Sequence, residues 1–227
     1  LALDRSAALA VGVMAIWKAG AVLLPLDPAA PRERLAFLVA DARARAILTR
    51  EPLRGRLPET GLPVLDLEPI PVGEGPAPPR EGARPSPTSE RIGPGDAAYI
   101  LYTSGTTGQP KGVVALHGGL AAVLAACRRE FGFSAADRLL SAAPFSFDIF
   151  FFELLSPLLA GGCCELLAAT SPLDMDALLD GLQRATRFHA VPALLRQVLA
   201  AVPRERRSAF SGLHTLFVGG DAVPADL

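Results

Sequence analysis

The chain has 227 residues, of which 50% are hydrophobic, and its 22 basic and 23 acidic side chains give a formal net charge of −1. This length allows one large domain or two small ones, and the apolar content excludes a chain that is disordered throughout. The balanced charge gives no electrostatic reason to expect a nucleic acid or an anionic membrane as partner. No uncharged apolar stretch reaches about 18 residues, so we predict no transmembrane span.

The three cysteines, Cys127, Cys163 and Cys164, show no spacing typical of a site. An odd number without a CxxC pair argues against a disulfide framework and against a cysteine-type zinc site. The histidines His117 and His214 have no metal-site spacing either, so we predict no metal site and a reducing, cytoplasmic location. The chain lacks an initiating Met and opens on LALD, a pattern typical of a strand end, so we expect a piece of a longer protein.

Helix and strand signals alternate in the first part of the chain. Spacing and capping residues predict helices and short strands or apolar runs, which are helix Ala7–Ala19, run Ala21–Leu26, a helix from Pro31 through Asp41, strand Ala46–Thr49 and strand Pro63–Leu67. Residues 68–96 then hold eight Pro and almost no large apolar side chains, so we predict a long exposed loop.

The alternation continues from residue 97 to the end of the chain. The predicted strands are Ala97–Thr103, Gly112–Leu116, Arg138–Ala142, Cys164–Leu167, Arg187–Ala190 and Leu213–Val218. The predicted helices are Gly118–Phe131, Phe147–Leu159, Asp174–Ala185 and Pro192–Ala201. Because these strands are too apolar to have one face in water, we predict an α/β fold with largely parallel sheets covered by helices.

The segment Tyr102–Gly112, YTSGTTGQPKG, differs from every other loop in composition. It holds one Ser, three Thr, three Gly and Lys111, which is one of only two lysines in the chain. Glycine backbone, hydroxyl donors and a cation are the components of a phosphate-binding loop. The segment is not a P-loop, because Gly105 is followed by Pro110, Lys111 and Gly112 instead of the GK[ST] ending.

TSGTTGQPKG resembles the signature loop of the adenylate-forming enzymes, which include acyl-CoA ligases, luciferases and the adenylation domains of nonribosomal peptide synthetases. Leu3–Thr49 is similar, nearly position by position, to the KAG…PLDP…ERL pattern of the adenylation domains, and Ala97–Leu120 matches the same branch. Pro144–Gly162 and the stretch LFVGGDAVPADL resemble two later motifs. The resemblance implies that residues 1–227 are part of the large N-terminal subdomain of such an enzyme, truncated at both ends.

The resemblance implies ATP-dependent formation of an aminoacyl-adenylate, followed by transfer to the phosphopantetheine thiol of a carrier protein. It implies that the ATP phosphates and pyrophosphate are bound by the loop residues Thr103, Ser104, Gly105, Thr106, Thr107, Gly108 and Lys111. Thr106 and Lys111 would be catalytic, because donors and a cation stabilise negative charge that moves during transfer. Gly220 and Asp221 match positions that contact adenine.

Asp148 matches the residue that binds the α-ammonium group of the substrate in this family. The alternative that the residues alone offer is the N-cap or first-turn acid of a helix, stabilised by the helix dipole. The surrounding phenylalanines suggest an apolar environment in which a carboxylate needs a partner: Phe145, Phe147, Phe150, Phe151 and Phe152. The side-chain pocket of the family would fall on Ile149, Phe152, His189, Phe217 and Gly219. From the residues alone, His189 is equally consistent with a satisfied core histidine at a strand end.

Three interpretations stay open: an amino-acid-activating adenylation domain, an acyl- or aryl-CoA ligase-like enzyme, and a non-catalytic module derived from the fold. The KAG block and Asp148 favour the first, with an amino-acid substrate and with peptidyl carrier and condensation domains in the same polypeptide. The family's Mg²⁺-associated acid, its ribose-binding Asp and the lid with a catalytic Lys are all expected beyond Leu227. We therefore expect this part alone to be inactive.

Overall fold

The computed structural model describes residues 1–67, 92–104, 109–168, 173–202 and 204–225. The chain divides into two compact units, Leu1–Ala121 and Ala122–Leu227. Most of the predicted Pro-rich loop lies outside the described residues.

The described residues of the first unit form three helices and two pairs of strands before α4 (His117–Phe131) begins. The helices are α1 (Ala7–Lys18), α2 (Arg32–Asp41) and α3 (Glu51–Arg54). The strands are β1 (Ile47–Thr49), β2 (Val64–Asp66), β3 (Ala97–Thr103) and β4 (Lys111–Leu116), with β1–β2 parallel and β3–β4 antiparallel. All of these elements were predicted except α3, whose four residues are too few to show helical periodicity.

The apolar run after α1 brings that helix into the core of the first unit. Gly20 has a φ of 71°, a left-handed conformation that glycine adopts without strain, and it follows the end of α1. Leu23 then lies beside β3, where its N–H donates to Ala98 and its carbonyl accepts from Ile100. The core next to it consists of Leu24, Leu26, Leu35, Leu38, Val39, Ile47 and Leu57.

The second unit is a parallel α/β sheet. Its helices are α5 (Ile149–Leu159), α6 (Met175–Arg184) and α7 (Pro192–Ala201), with a 3₁₀ helix at Arg204–Phe210, and the boundary between the units falls inside α4 (His117–Phe131). The strands are β5 (Arg138–Ser141), β6 (Cys163–Leu166), β7 (Arg187–Ala190) and β8 (Thr215–Val218). They pair in the order β6-β5-β7-β8 and all pairs are parallel, which confirms the predicted fold class.

Successive residues of β5 point to opposite faces of this sheet, as strand geometry requires. Leu140 faces α6, where a Cβ atom on Gly181 would lie 2.9 Å from its methyl groups. Ser141 faces α5 and bonds to Glu153. The N-cap of helix α6 is Asp174, whose carboxylate accepts the N–H of Ala177 at 2.9 Å.

A buried ion pair connects the amino ends of β5 and β7. Asp137 is 4% exposed and accepts from Arg187 Nε at 2.6 Å and from Ser134 through its N–H and hydroxyl. Arg187 also donates to the carbonyls of Phe131 and Gly132. Burial alone would raise the pKa of Asp137, but the hydrogen bonds and the charge of Arg187 hold it below the ordinary value of 3.8.

We predict that this pair makes the second unit sensitive to acid. A carboxylate with a lowered folded pKa stabilises fully above its unfolded pKa, and this contribution is lost as the pH falls through the folded pKa. The variant Asp137→Asn should lose about 3 kcal/mol of unfolding free energy at pH 7, because Arg187 stays buried without its partner. Urea unfolding at pH 7 measures the loss in the variant, and urea unfolding between about pH 5 and pH 2 measures the acid sensitivity. An equally steep acid loss in the variant would contradict the assignment to Asp137.

Candidate functional site

The predicted phosphate loop begins and ends at one end of the β3–β4 hairpin. Thr103, the last residue of β3, is paired in register with Lys111, the first residue of β4. Thr103, Ser104 and Lys111 are exposed, so two hydroxyls and one ammonium group are accessible to a ligand there. The other predicted loop residues lie outside the described part of the chain, and they are Gly105, Thr106, Thr107 and Gly108.

Tyr102, a residue that the sequence did not mark as functional, fixes the strand that leads into this loop. Its hydroxyl donates to the Asp41 carboxylate at the end of α2 with an oxygen–oxygen distance of 2.6 Å. Its ring meets the ring of Phe37 edge-on, with 6.2 Å between the centroids. A Cβ atom on Gly112 would lie 3.1 Å from Tyr102 Cζ, so glycine lets β4 approach the ring. Burial and the Asp41 carboxylate raise the pKa of Tyr102 far above its ordinary value.

Asp148 is the N-cap of α5, and its Oδ1 accepts the N–H of Ile149 at 2.8 Å. The carboxylate is exposed. The predicted apolar environment was wrong, because Phe150 and Phe151 are turned into the core while Phe147 is 59% exposed. Asp148 therefore caps the helix and presents a negative charge to solvent.

Three of the predicted pocket residues lie together on one face of the parallel sheet. His189 on β7 and Phe217 on β8 are partners in register, so both side chains point to the same side. The ring of Phe152 on α5 meets both rings edge-on, with centroid distances of 6.4 Å to His189 and 5.2 Å to Phe217.

This group extends into an aromatic cluster. The cluster consists of Phe131, Phe133, Phe152 and Phe217, with neighbouring centroids 5.0–6.2 Å apart. The guanidinium of Arg187 lies over the ring of Phe133 at 4.6 Å. The aromatic cluster that includes Phe152 and Phe217 therefore contacts, through Phe133, the same arginine that pairs with Asp137.

The remaining predicted residues are at the ends of these elements. Ile149 is at the start of α5, three residues before Phe152 and partly exposed. Gly219 directly follows β8, and a Cβ atom placed on it would have no atom within 4 Å. Gly220 has a φ of 83°, and Asp221 is exposed and accepts the N–H of Ala222 at 2.7 Å.

Glu153 is a second residue that sequence reasoning missed. It is fully buried on α5, where Oε2 accepts from the Ser141 hydroxyl at 2.7 Å and from the Ala143 N–H at 3.0 Å. Its Oε1 lies 2.9 Å from Nδ1 of His189. One signal was present in the sequence, since a lone acid inside the apolar helix IFFFELLSPLL needs buried partners.

Sheet topology explains why these residues meet. The chain passes from β5 to β6 on one side, and then returns past β5 to β7 and β8 on the other. In open α/β sheets, ligands bind at the carboxyl ends of the strands where the strand order reverses. Glu153 connects the two strands on either side of that point, because Ser141 ends β5 and His189 lies near the end of β7.

The part of the chain that the structure describes offers no metal centre. It contains no group of three or more His, Cys, Asp or Glu side chains that could hold a metal ion. No described helix combines the length and the apolar character needed to cross a membrane. The cysteines Cys127, Cys163 and Cys164 form no disulfide bond.

The fold and the arrangement of these residues define a subdomain of an adenylate-forming enzyme. The family model described as "AMP-binding enzyme" matches residues 1–227, and the chain belongs to this family. The predicted resemblance to the adenylation domains of nonribosomal peptide synthetases is confirmed by relatives that match over the whole chain.

Tyrocidine synthase 3 of Brevibacillus parabrevis is 34% identical over 230 residues, and the match covers 99% of this chain and 3% of that protein. The nonribosomal peptide synthetase FmoA3, in a form bound to alpha-methyl-L-serine-AMP, is 30% identical with a TM-score of 0.83, and the match covers 99% of this chain and 24% of that one. The N-terminal subdomain of Klebsiella oxytoca NpsA shares the fold, with 24% identity, a TM-score of 0.77 and coverage of 99% and 54%. The chain thus spans only a small part of the curated relatives that it matches.

We predict that the tyrosine before the phosphate loop titrates unusually late. Because the folded pKa of Tyr102 is raised above 10.0, its hydrogen bond to Asp41 stabilises the protein below that pH and is lost as the pH rises further. Tyr102→Phe should cost about 1 kcal/mol of unfolding free energy at neutral pH. Subtracting the absorbance titration of the variant from that of the wild type isolates the tyrosinate absorbance of Tyr102. This absorbance should appear only at pH values well above 10. A difference centred at the ordinary tyrosine pKa would contradict the contact.

Proposed function

We propose that this chain is the part of an amino-acid-activating adenylation domain that holds the nucleotide phosphates and the amino acid. The observation that carries the proposal is the meeting of Phe152, His189 and Phe217 where the strand order reverses. These are residues that the resemblance assigns to the amino-acid pocket. Asp148 lies at the start of the same helix as Phe152.

The reaction is attack of the amino-acid carboxylate on the α-phosphorus of ATP. A carboxyl oxygen–phosphorus bond forms, the bond to the pyrophosphate group breaks, and negative charge moves onto pyrophosphate. Thr103, Ser104 and Lys111 supply hydroxyl donors and a positive charge at one end of the β3–β4 hairpin. Such groups stabilise charge that develops on a leaving group. Thr106 is proposed to join them as a catalytic residue, with Gly105, Thr107 and Gly108 supplying loop backbone.

The amino acid is proposed to bind through its ammonium group to Asp148. One oxygen of this carboxylate caps α5, and the exposed group retains acceptor capacity for an ammonium. The substrate side chain is proposed to contact Ile149, Phe152, His189, Phe217 and Gly219. Gly220 and Asp221 are proposed to contact adenine.

The remaining parts of the reaction involve a metal ion and the thiol of a carrier domain. The described residues contain no group of three or more His, Cys, Asp or Glu side chains that could hold Mg²⁺, and we propose that its ligands lie outside residues 1–227. We propose that the activated amino acid passes to a phosphopantetheine thiol on a carrier domain, with condensation domains in the same polypeptide and a cytoplasmic location. The fragment 1–227 alone is proposed to be inactive.

Amino-acid-dependent exchange of pyrophosphate into ATP by the full-length protein tests this function. Exchange with at least one α-amino acid is expected. Exchange with aryl or fatty acids alone would contradict the proposal and would identify an acyl- or aryl-CoA ligase-like enzyme instead. Absence of exchange with every acid tested would favour a non-catalytic module.

The variant Asp148→Asn should raise KM for the amino acid and leave KM for ATP unchanged. We expect a loss of about 100-fold in kcat/KM, because an ion pair is replaced by a neutral contact while asparagine still caps α5. Asp174→Asn is the matched control, since Asp174 caps α6 in the same unit. Unchanged amino-acid kinetics in Asp148→Asn would exclude the ammonium-binding role.

The variant Lys111→Ala should slow pyrophosphate exchange by about 100-fold, a magnitude typical for loss of one charge-stabilising group. The other lysine of the chain, Lys18, is exposed at the end of α1, and Lys18→Ala provides the control. Equal exchange rates in the two variants would show that Lys111 does not act on the phosphates.

A further inference from the structure

Both carboxylate oxygens of Glu153 have hydrogen-bond partners, although the side chain is fully buried. A buried carboxylate is costly unless its oxygens accept hydrogen bonds. Oε2 accepts from Ser141 on β5 and from the Ala143 N–H just after that strand, and Oε1 faces Nδ1 of His189 on β7. The helix α5 is thereby connected to both strands at the point where the strand order reverses.

We assign the Nδ1–H tautomer to His189 from its contact with the carboxylate of Glu153. The backbone N–H of Ala143 only donates, and an ionised carboxylate only accepts. Nδ1 of His189 therefore donates to Oε1 of Glu153, and Nε2 is the remaining hydrogen-bonding atom of the ring. The carboxylate thus selects the tautomer of the imidazole as well as its orientation.

The surroundings of the imidazole are otherwise aromatic. Phe217 is the partner of His189 in register on β8, and the ring of Phe152 meets the imidazole edge-on. Ser141 on the other side is bonded to Glu153. His189 is 6% exposed, so a ligand would reach Nε2 only by entering between these rings, where this atom would be the polar group of an apolar wall.

We propose that Glu153 is a positioning residue that acts through His189 and makes the pocket select an amino acid with a hydrogen-bonding side chain. The inference rests on the proposed function and adds the substrate class to it. Glu153 does not touch the substrate. It holds the imidazole so that the substrate side chain bonds to Nε2.

The test is pyrophosphate exchange by the full-length protein with isosteric pairs of amino acids. Suitable pairs are threonine and valine, asparagine and leucine, and tyrosine and phenylalanine, because each pair differs mainly in hydrogen-bonding groups. The wild type should activate the polar member of at least one pair at least about tenfold better, which is the equivalent of one hydrogen bond. His189→Phe should remove this preference.

The variant Glu153→Gln separates positioning from a purely structural role. The amide oxygen keeps the bonds from Ser141 and Ala143, so the amide nitrogen faces Nδ1 and the ring proton moves to Nε2. We expect the polar-to-apolar ratio to change by about tenfold while KM for ATP is unchanged, because Nε2 then donates to the substrate instead of accepting from it. In the His189→Phe background the same substitution should leave the ratio unaltered, because the residue through which it acts is gone.

Two further variants complete the design. Glu165→Gln is the control, since Glu165 on β6 is an acid of the same unit that pairs with Arg184 and Arg138. Glu153→Asp withdraws the carboxylate by one methylene and gives the same comparison if Glu153→Gln does not fold.

The outcomes distinguish this inference from the proposed function. Failure of the wild type to activate any α-amino acid would overturn both. Activation of amino acids without preference within any pair would overturn the inference alone. So would a Glu153→Gln effect of equal size in the presence and absence of the imidazole, because that result identifies a structural role.

Discussion

The carboxylate of Glu153 is the interaction on which the arrangement of the second unit depends most. Its charge is buried in an apolar helix, so the strands that supply its donors have to lie within hydrogen-bond distance. This requirement fixes the rotation of α5 on the sheet. It thereby determines where Asp148 at the start of the helix and Phe152 one residue before Glu153 are placed.

A second buried carboxylate forms an ion pair at the opposite ends of β5 and β7. Asp137 precedes β5 and pairs with Arg187, the first residue of β7. The pair β5–β7 is therefore held by polar contacts at both ends. The guanidinium of Arg187 also supports the aromatic cluster through Phe133, so the structural pair and the candidate pocket are in physical contact.

Local patterns predicted most of the fold, because apolar periodicity, capping residues and proline are local signals. Thus α5 and α6 begin directly after their N-caps Asp148 and Asp174, and the strands of the second unit coincide with the predicted apolar runs. The short helix α3 and the 3₁₀ helix were not predicted, since neither is long enough to show a repeat. The pairing order of the strands is a long-range property that no local pattern contains.

The candidate site was predicted less evenly. The grouping of Phe152, His189 and Phe217 came from motif resemblance, and the structure brings these rings together. The prediction of an apolar environment around Asp148 was wrong, because the direction in which each phenylalanine points depends on the rotation of the helix. Glu153 and Tyr102 were missed as positioning residues, since their partners His189 and Asp41 are 36 and 61 residues distant in sequence.

A crystal structure of the full-length protein with its best-activated amino acid would test the central claim most directly. We predict that the ammonium group lies against the Asp148 carboxylate, that the substrate side chain bonds to Nε2 of His189, and that Nδ1 stays bonded to Glu153. An amino acid bound away from α5 and β7, or an imidazole rotated off Glu153 in the complex, would contradict it.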